Sequence, residues 1–191
     1  FPIKSERSNW REESLIQLNQ IKKNYKKITH LIVILDDFIF LQSSHKKIHR
    51  LINESVEKQI KYIRFKPIEE NFILKIYNLI RLNSGFKTAK IIKIRKSHPY
   101  YSSLQIALWD IDYLIDMISN SSSIWDFENQ KSPEIHYSTI EKFMFYKHIV
   151  EKGEWDLNAK EICTKYLGSF NPGFRKVRTL SKIQLMNIFA R

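Results

Sequence analysis

The chain has 191 residues, 43% hydrophobic and 13% aromatic, enough for one sizeable core with or without a small appended module, which excludes a wholly disordered protein. Four glycines and five prolines, with neither a GxGxxG nor a Walker A pattern, exclude the Gly-rich phosphate-binding folds and favour long helices. The net charge of +12 is segregated: residues 1–96 hold 21 Lys+Arg against 9 Asp+Glu, 97–162 hold 5 against 11, and 163–191 hold 6 against 0, a pattern expected of surfaces that face a polyanion.

Asn9 and Glu12 have the spacing of a capping pair, and Leu15, Leu18, Ile21, Tyr25 and Ile28 follow at helical intervals, so a first helix is expected over 10–28. Leu31 to Leu41 is rich in β-branched and aromatic residues and fits a buried strand, a short hairpin or a buried helix. Ser44 stands before Ile48, Leu51, Ile52, Val56, Ile60 and Ile63, one apolar stripe of a helix whose outer arc carries Lys46, Lys47, Arg50, Lys58 and Lys61. Pro67 with Glu69 and Glu70 starts a further helix that Gly85 stops. Residues 87–96 suit a strand or a helix and set Lys90, Lys93, Arg95 and Lys96 among isoleucines. Leu104, Leu108, Ile111, Ile115 and Ile118 predict a helix over 102–119, and the aperiodic polar run 119–134 predicts a linker anchored by Trp125 and Phe127.

Three helices are expected beyond that linker. Ser138 with Glu141 opens the first, which Gly153 ends; Asn158 with Glu161 opens the second, which Gly168 ends; Asn171-Pro172 caps the third. This spacing resembles a helix-turn-helix, in which Phe174 and Val177 face inward and Asn171, Arg175, Lys176, Arg178, Thr179 and Lys182 are available to phosphates and base edges.

Sites for catalysis are weaker. Asp36 and Asp37, joined by Asp110, Asp112 and Asp116, are the only carboxylates whose placement suggests a Mg²⁺ nuclease, and aspartates between apolar runs more often cap or turn the chain. His45 and His49 are a helical pair without a supporting third ligand and with Lys46 and Lys47 between them. Cys163, the lone cysteine, fits a small apolar helix position and a reducing compartment. His98-Pro99-Tyr100-Tyr101 beside Lys96 offers base stacking or buried tyrosines. No apolar stretch reaches the length of a membrane span, and no signal peptide is visible.

The sequence therefore predicts a mainly α protein: a helical body over 1–120 with one or two short strands, a linker over 121–134, and a helix-turn-helix-like module of three to four helices over 135–191. The expected function is non-enzymatic, intracellular nucleic-acid binding without cofactor or metal, centred on the C-terminal module and on Lys90, Lys93, Arg95 and Lys96. The alternatives are a structural RNA-binding subunit of a ribonucleoprotein and, third, a metal-dependent nuclease; the acidic 97–162 segment is the expected place for a protein partner.

Overall fold

The runs whose periodicity is ambiguous become strands. A computed structural model describes residues 10–35, 38–65, 91–98, 101–140, 144–151, 154–171, 173, 176 and 177. Among these the strands are β1 (His30–Val33), β2 (Phe38–Ser43), β3 (Tyr62–Arg64), β4 (Ile91–Lys93), β5 (Ala107–Asp110), β6 (Tyr137–Thr139), β7 (Met144–His148), β8 (Val150–Glu151) and β9 (Glu154–Trp155). The helices are α1 (Trp10–Asn24), α2 (His45–Glu57), α3 (Ile111–Ser119), α4 (Ile124–Asn129) and α5 (Ala159–Leu167).

Two compact units result, Phe1–Ile34 with Ser44–Phe143 and Leu35–Ser43 with Met144–Arg191. The first is built on a five-stranded mixed sheet in the order β1-β5-β3-β6-β4, antiparallel except for the β3–β6 pair. The fold is α/β, which overturns the mainly α expectation. The physical reason lies in the central strands: Tyr62, Ile63, Ala107, Leu108 and Trp109 are all buried, so β3 and β5 show no polar–apolar alternation that would mark them as strands.

Residues 102–119 show the correction in detail. The spacing Leu104, Leu108, Ile111 is helical by coincidence, because Ala107–Asp110 lies inside the sheet and the helix begins only at Ile111. Asp110 makes that switch by capping: it keeps extended backbone while its Oδ1 accepts the Tyr113 N–H at 2.9 Å. The helix expected from Ser44 to Ile63 likewise ends at Glu57, where Gln59 takes a positive φ of 51° and turns the chain into β3. Residues 121–134 contain α4, capped by Ser123 Oγ accepting the Asp126 N–H, and its Phe127 is wholly buried. The helix expected over 67–85 lies outside the described residues.

One face of the sheet carries an aromatic core. Register sets Tyr62 opposite Trp109, with ring centroids 4.3 Å apart. Tyr113 of α3 stacks on Trp109 at 6.0 Å, Phe127 of α4 reaches it at 5.6 Å, and Trp10 of α1 meets Phe127 edge-on at 5.8 Å. Three helices are thus joined to the sheet through one cluster, each large buried ring adding roughly 1.5–3 kcal/mol. α1 also packs along α3, and Lys22 pairs there with Asp112.

The second unit corrects the C-terminal prediction. The first of its expected helices is absent: Tyr137–Thr139 belongs to the main sheet, Met144–His148 is β7, and Val150–Glu151 is β8. β7 pairs antiparallel with β2, and β8 with β9. The second expected helix exists as α5, ending at Gly168 with φ +79°. The third does not begin as predicted, since Val177 forms a β-bridge with Trp155 and the Trp155 N–H donates to the Lys176 carbonyl at 2.8 Å. Among the described residues, strands precede α5 and a bridge follows it, which is not the helix order of a helix-turn-helix.

Around α5, Ile39, Ile149, Val150, Ala159, Ile162 and Cys163 form a small core with Trp155 and Phe170 against it. Gly168 closes the helix by donating its N–H to the Thr164 carbonyl, and no atom lies within 4 Å of where a Cβ would stand. Gly168→Ala is therefore expected to lower stability by about 1 kcal/mol through backbone strain alone, without loss of packing. A thermal melt of the variant checks this; an unchanged midpoint would show that the helix end relaxes.

Candidate nucleic-acid interface

α1 ends in a basic turn. Lys22 and Lys23 occupy its last turn, the chain continues as Asn24-Tyr25-Lys26-Lys27-Ile28, and the backbone is held by Tyr25 N–H to Ile21 and Ile28 N–H to Tyr25. Lys23, Asn24, Tyr25, Lys26, Lys27 and Ile28 line an open concavity of about 450 Å³. Tyr25 is 59% exposed, which corrects its expected place on the buried stripe of a longer helix. The helix stops before it, so the apolar stripe does not reach that far. Lys22 turns away to Asp112, leaving Lys23, Lys26 and Lys27 around an exposed phenol ring. The helix C-terminus itself carries partial negative charge, and the lysines of the last turn oppose it.

The residues singled out from sequence are dispersed. Lys93, Arg95 and Lys96 are exposed at and after β4, and Lys96 Nζ donates to the Pro133 carbonyl at 2.9 Å. Asn171 is exposed, its Oδ1 accepting the Gly173 N–H, and Lys176 is exposed beside Trp155. Lys90, Arg175, Arg178, Thr179 and Lys182 lie outside the described residues. His45, Lys46, Lys47, His49 and Arg50 all lie exposed on α2.

The described aspartates do not meet as a metal site. Asp110 caps α3 and binds Lys61 at 2.8 Å, Asp112 pairs with Lys22, and Asp116 accepts from Asn120. Burial opposes ionisation of Asp110, but Lys61 and the Tyr113 N–H outweigh it and hold the carboxyl below its usual range. Among the described residues no three His, Cys, Asp or Glu side chains are placed to hold a metal ion, and Asp36 and Asp37 lie outside them.

No family model matches the chain, and neither a curated protein nor a solved structure shows significant similarity to it. Among the described residues, no helix is long and apolar enough to cross a membrane.

A second chemically distinctive cluster is buried. Tyr101 and His136 stack with centroids 4.2 Å apart and planes 6° from parallel, so the tyrosine of the His98-Pro99-Tyr100-Tyr101 run is core and not a stacking platform for bases. His136 Nδ1 lies 3.1 Å from the Tyr101 carbonyl, which can only accept, so Nδ1 carries the proton. Nε2 then accepts from Tyr113 Oη at 2.6 Å, and the tyrosine in turn accepts from Ser132 Oγ at 2.5 Å. Ser132 Oγ also accepts the Glu134 N–H at 3.0 Å. Burial pushes the imidazole down to about 4; the Tyr101 bond opposes that, and the charges of Arg64 and Lys96 reinforce it.

The rings of Tyr101, Tyr113 and His136 are all buried, and their hydrogen bonds tie residues 101 and 132–136 to α3. In the sequence His136 stands out only as one of six histidines. The signal that marks the α1 end, an aromatic residue between two lysine pairs, is legible in residues 22–27, but apolar spacing alone places Tyr25 on a helix face.

Proposed function

We propose that this chain acts by binding and not by catalysis, and that its partner is a polyanion, a single-stranded nucleic acid, held at the C-terminal end of α1. The observation that carries the reading is the exposed Tyr25 ring set among Lys23, Lys26 and Lys27 in an open concavity. An exposed ring accepts an unpaired base on its face regardless of sequence, and the lysines neutralise the flanking phosphates. Duplex readout is disfavoured, because Val177, expected on the inward face of the helix that would enter a major groove, forms a β-bridge with Trp155 instead. Exposed Lys93, Arg95 and Lys96, at and after the edge strand β4, add positive charge without an exposed aromatic residue among them. Such a binder fits a structural subunit of a ribonucleoprotein in a reducing compartment, where the single buried Cys163 stays a thiol.

The test is affinity for a labelled single strand measured across a salt series. Replacing Lys23, Lys26 and Lys27 together by Ala is expected to reduce the slope of log affinity against log salt by about two units, at roughly 0.7 for each phosphate no longer neutralised. Tyr25→Ala is expected to cost about 1–3 kcal/mol of binding at every salt concentration, with Tyr25→Phe near neutral. Unchanged slopes in the lysine variant, with folding intact, would overturn the reading.

A further inference from the structure

The acidic segment of the chain carries an anchor of its own. Trp125 is 69% exposed and its neighbour Ile124 40%, although large aromatic side chains are ordinarily mostly buried. The pair is not a frayed end. Phe127, two residues on, is wholly buried against Trp109 and Trp10. Asp126 Oδ2 accepts the Ser122 N–H at 2.7 Å, Asn129 Nδ2 donates to the Trp125 carbonyl at 2.8 Å, and Gln130 Nε2 donates to the Asn120 carbonyl at 3.3 Å. α4 is therefore a pinned platform that presents an indole to solvent in a fixed place, the arrangement that makes an aromatic residue an effective binding anchor.

Charge indicates what the anchor receives. Residues 110–134 hold six acidic side chains, Asp110, Asp112, Asp116, Asp126, Glu128 and Glu134, against the single basic Lys131, in a chain whose net charge is +12. Lys61 and Lys22 answer Asp110 and Asp112. Exposed Asp116 and Asp126 bond to groups without charge, Asn120 and Ser122, so their negative charge stays uncompensated by those partners. Nucleic acid is repelled from such a surface, and a cationic chain is drawn to it.

We infer that the exposed Trp125–Ile124 face of α4 is a docking site for an arginine-bearing segment of a protein partner, with a guanidinium over the Trp125 ring and the flanking cations toward Asp116 and Asp126. Arginine is favoured over lysine because its planar guanidinium stacks on an indole and still donates to carboxylates at its edge. An apolar residue of the same segment covers Ile124. This site is independent of the α1 end, so one protein can hold a polyanion at one place and a basic chain at another.

The experiment uses the full chain without nucleic acid and a short fluorescent peptide of alternating arginine and leucine, followed by anisotropy. Trp125→Ala is expected to weaken binding about tenfold, Trp125→Phe much less, and Asp116→Asn with Asp126→Asn to weaken it mainly at low salt. Circular dichroism confirms that each variant is folded. Lysine in place of arginine is expected to reduce affinity severalfold, and glutamate to abolish it. The inference is overturned if Trp125→Ala binds within twofold of the parent, if the arginine and glutamate peptides bind alike, or if the arginine peptide does not bind. It is also overturned if Trp125→Ala dissociates an oligomer of the free protein, since the occupant would then be a second copy.

Discussion

Trp109→Ala is expected to lower the stability of the sheet unit by roughly 4 kcal/mol, within the 3–5 kcal/mol typical of deleting a buried large aromatic side chain. Trp109 is wholly buried on β5, which β1 and β3 flank. Its ring lies within 6.2 Å, centroid to centroid, of Tyr62, Phe127, Tyr113 and His136, side chains delivered by β3, α4, α3 and the approach to β6. Removing it opens a void that four separate elements cannot close together, because each is fixed by its own backbone bonds. Urea denaturation followed by far-ultraviolet circular dichroism measures the loss. A change below about 1 kcal/mol would mean that the aromatic cluster does not organise the sheet unit.

The second large effect is on pH. An unfolded chain protonates His136 near 6.5, whereas the folded protein holds it neutral down to about 4. Between those values the unfolded state binds more protons, so the contribution of neutral His136 is fully present above pH 6.5 and falls away as pH drops toward 4. A shift of that size corresponds to stability on the order of 3 kcal/mol. Glu128 works in the opposite sense: burial raises its carboxyl above the usual 4.5, partly offset by bonds from Leu104 and Ser103 and by the charge of Arg64. Its folded form takes up a proton first, which softens the decline at the acid end.

His136→Phe keeps a ring beside Tyr101 and removes the titration. The variant is expected to be less stable at neutral pH, since Tyr113 Oη loses its acceptor, and to show a flatter dependence of unfolding free energy between pH 6.5 and 4. Parallel curves for parent and variant would contradict the assigned proton arrangement.

Helical period is more legible in the sequence than capping is: Ser44 and Asn158 precede their helices without a side-chain cap bond, whereas Asp110 and Ser123, which the spacing does not mark, cap theirs. The first helix shows in Leu15, Leu18 and Ile21, and α5 in Glu161, Ile162 and Gly168, because a solvated helix displays its period and its stop without reference to distant residues. The sheet is legible only in part: the runs 31–41 and 87–96, open to a strand reading, overlap β1, β2 and β4, whereas β3 and β5 fall in runs that read as helix. Strands of three and four residues offer too short a window for periodicity, and β3 and β5, buried on both faces, have no alternation to find.

Pairing adds what spacing lacks. Ser138 and Glu141 have the spacing of a capping box, yet Ser138 lies in β6 with its Cα opposite Arg64 and Ile92, partners distant in sequence. The candidate site shows the same limit. Lys23, Lys26 and Lys27 are visible as charge, but the exposure of Tyr25 follows from α1 ending at Asn24, one residue before it.

The central claim, that a single strand is held at the end of α1, is tested most directly by photocrosslinking. A single-stranded oligonucleotide carrying 4-thiouridine is irradiated with the full chain, and the modified peptides are mapped by mass spectrometry. The expected result is a dominant crosslink at Tyr25, lost in Tyr25→Ala and competed by unlabelled single strands far better than by duplex. Crosslinks confined to residues 93–96 or 163–191, with none at Tyr25, would contradict the account.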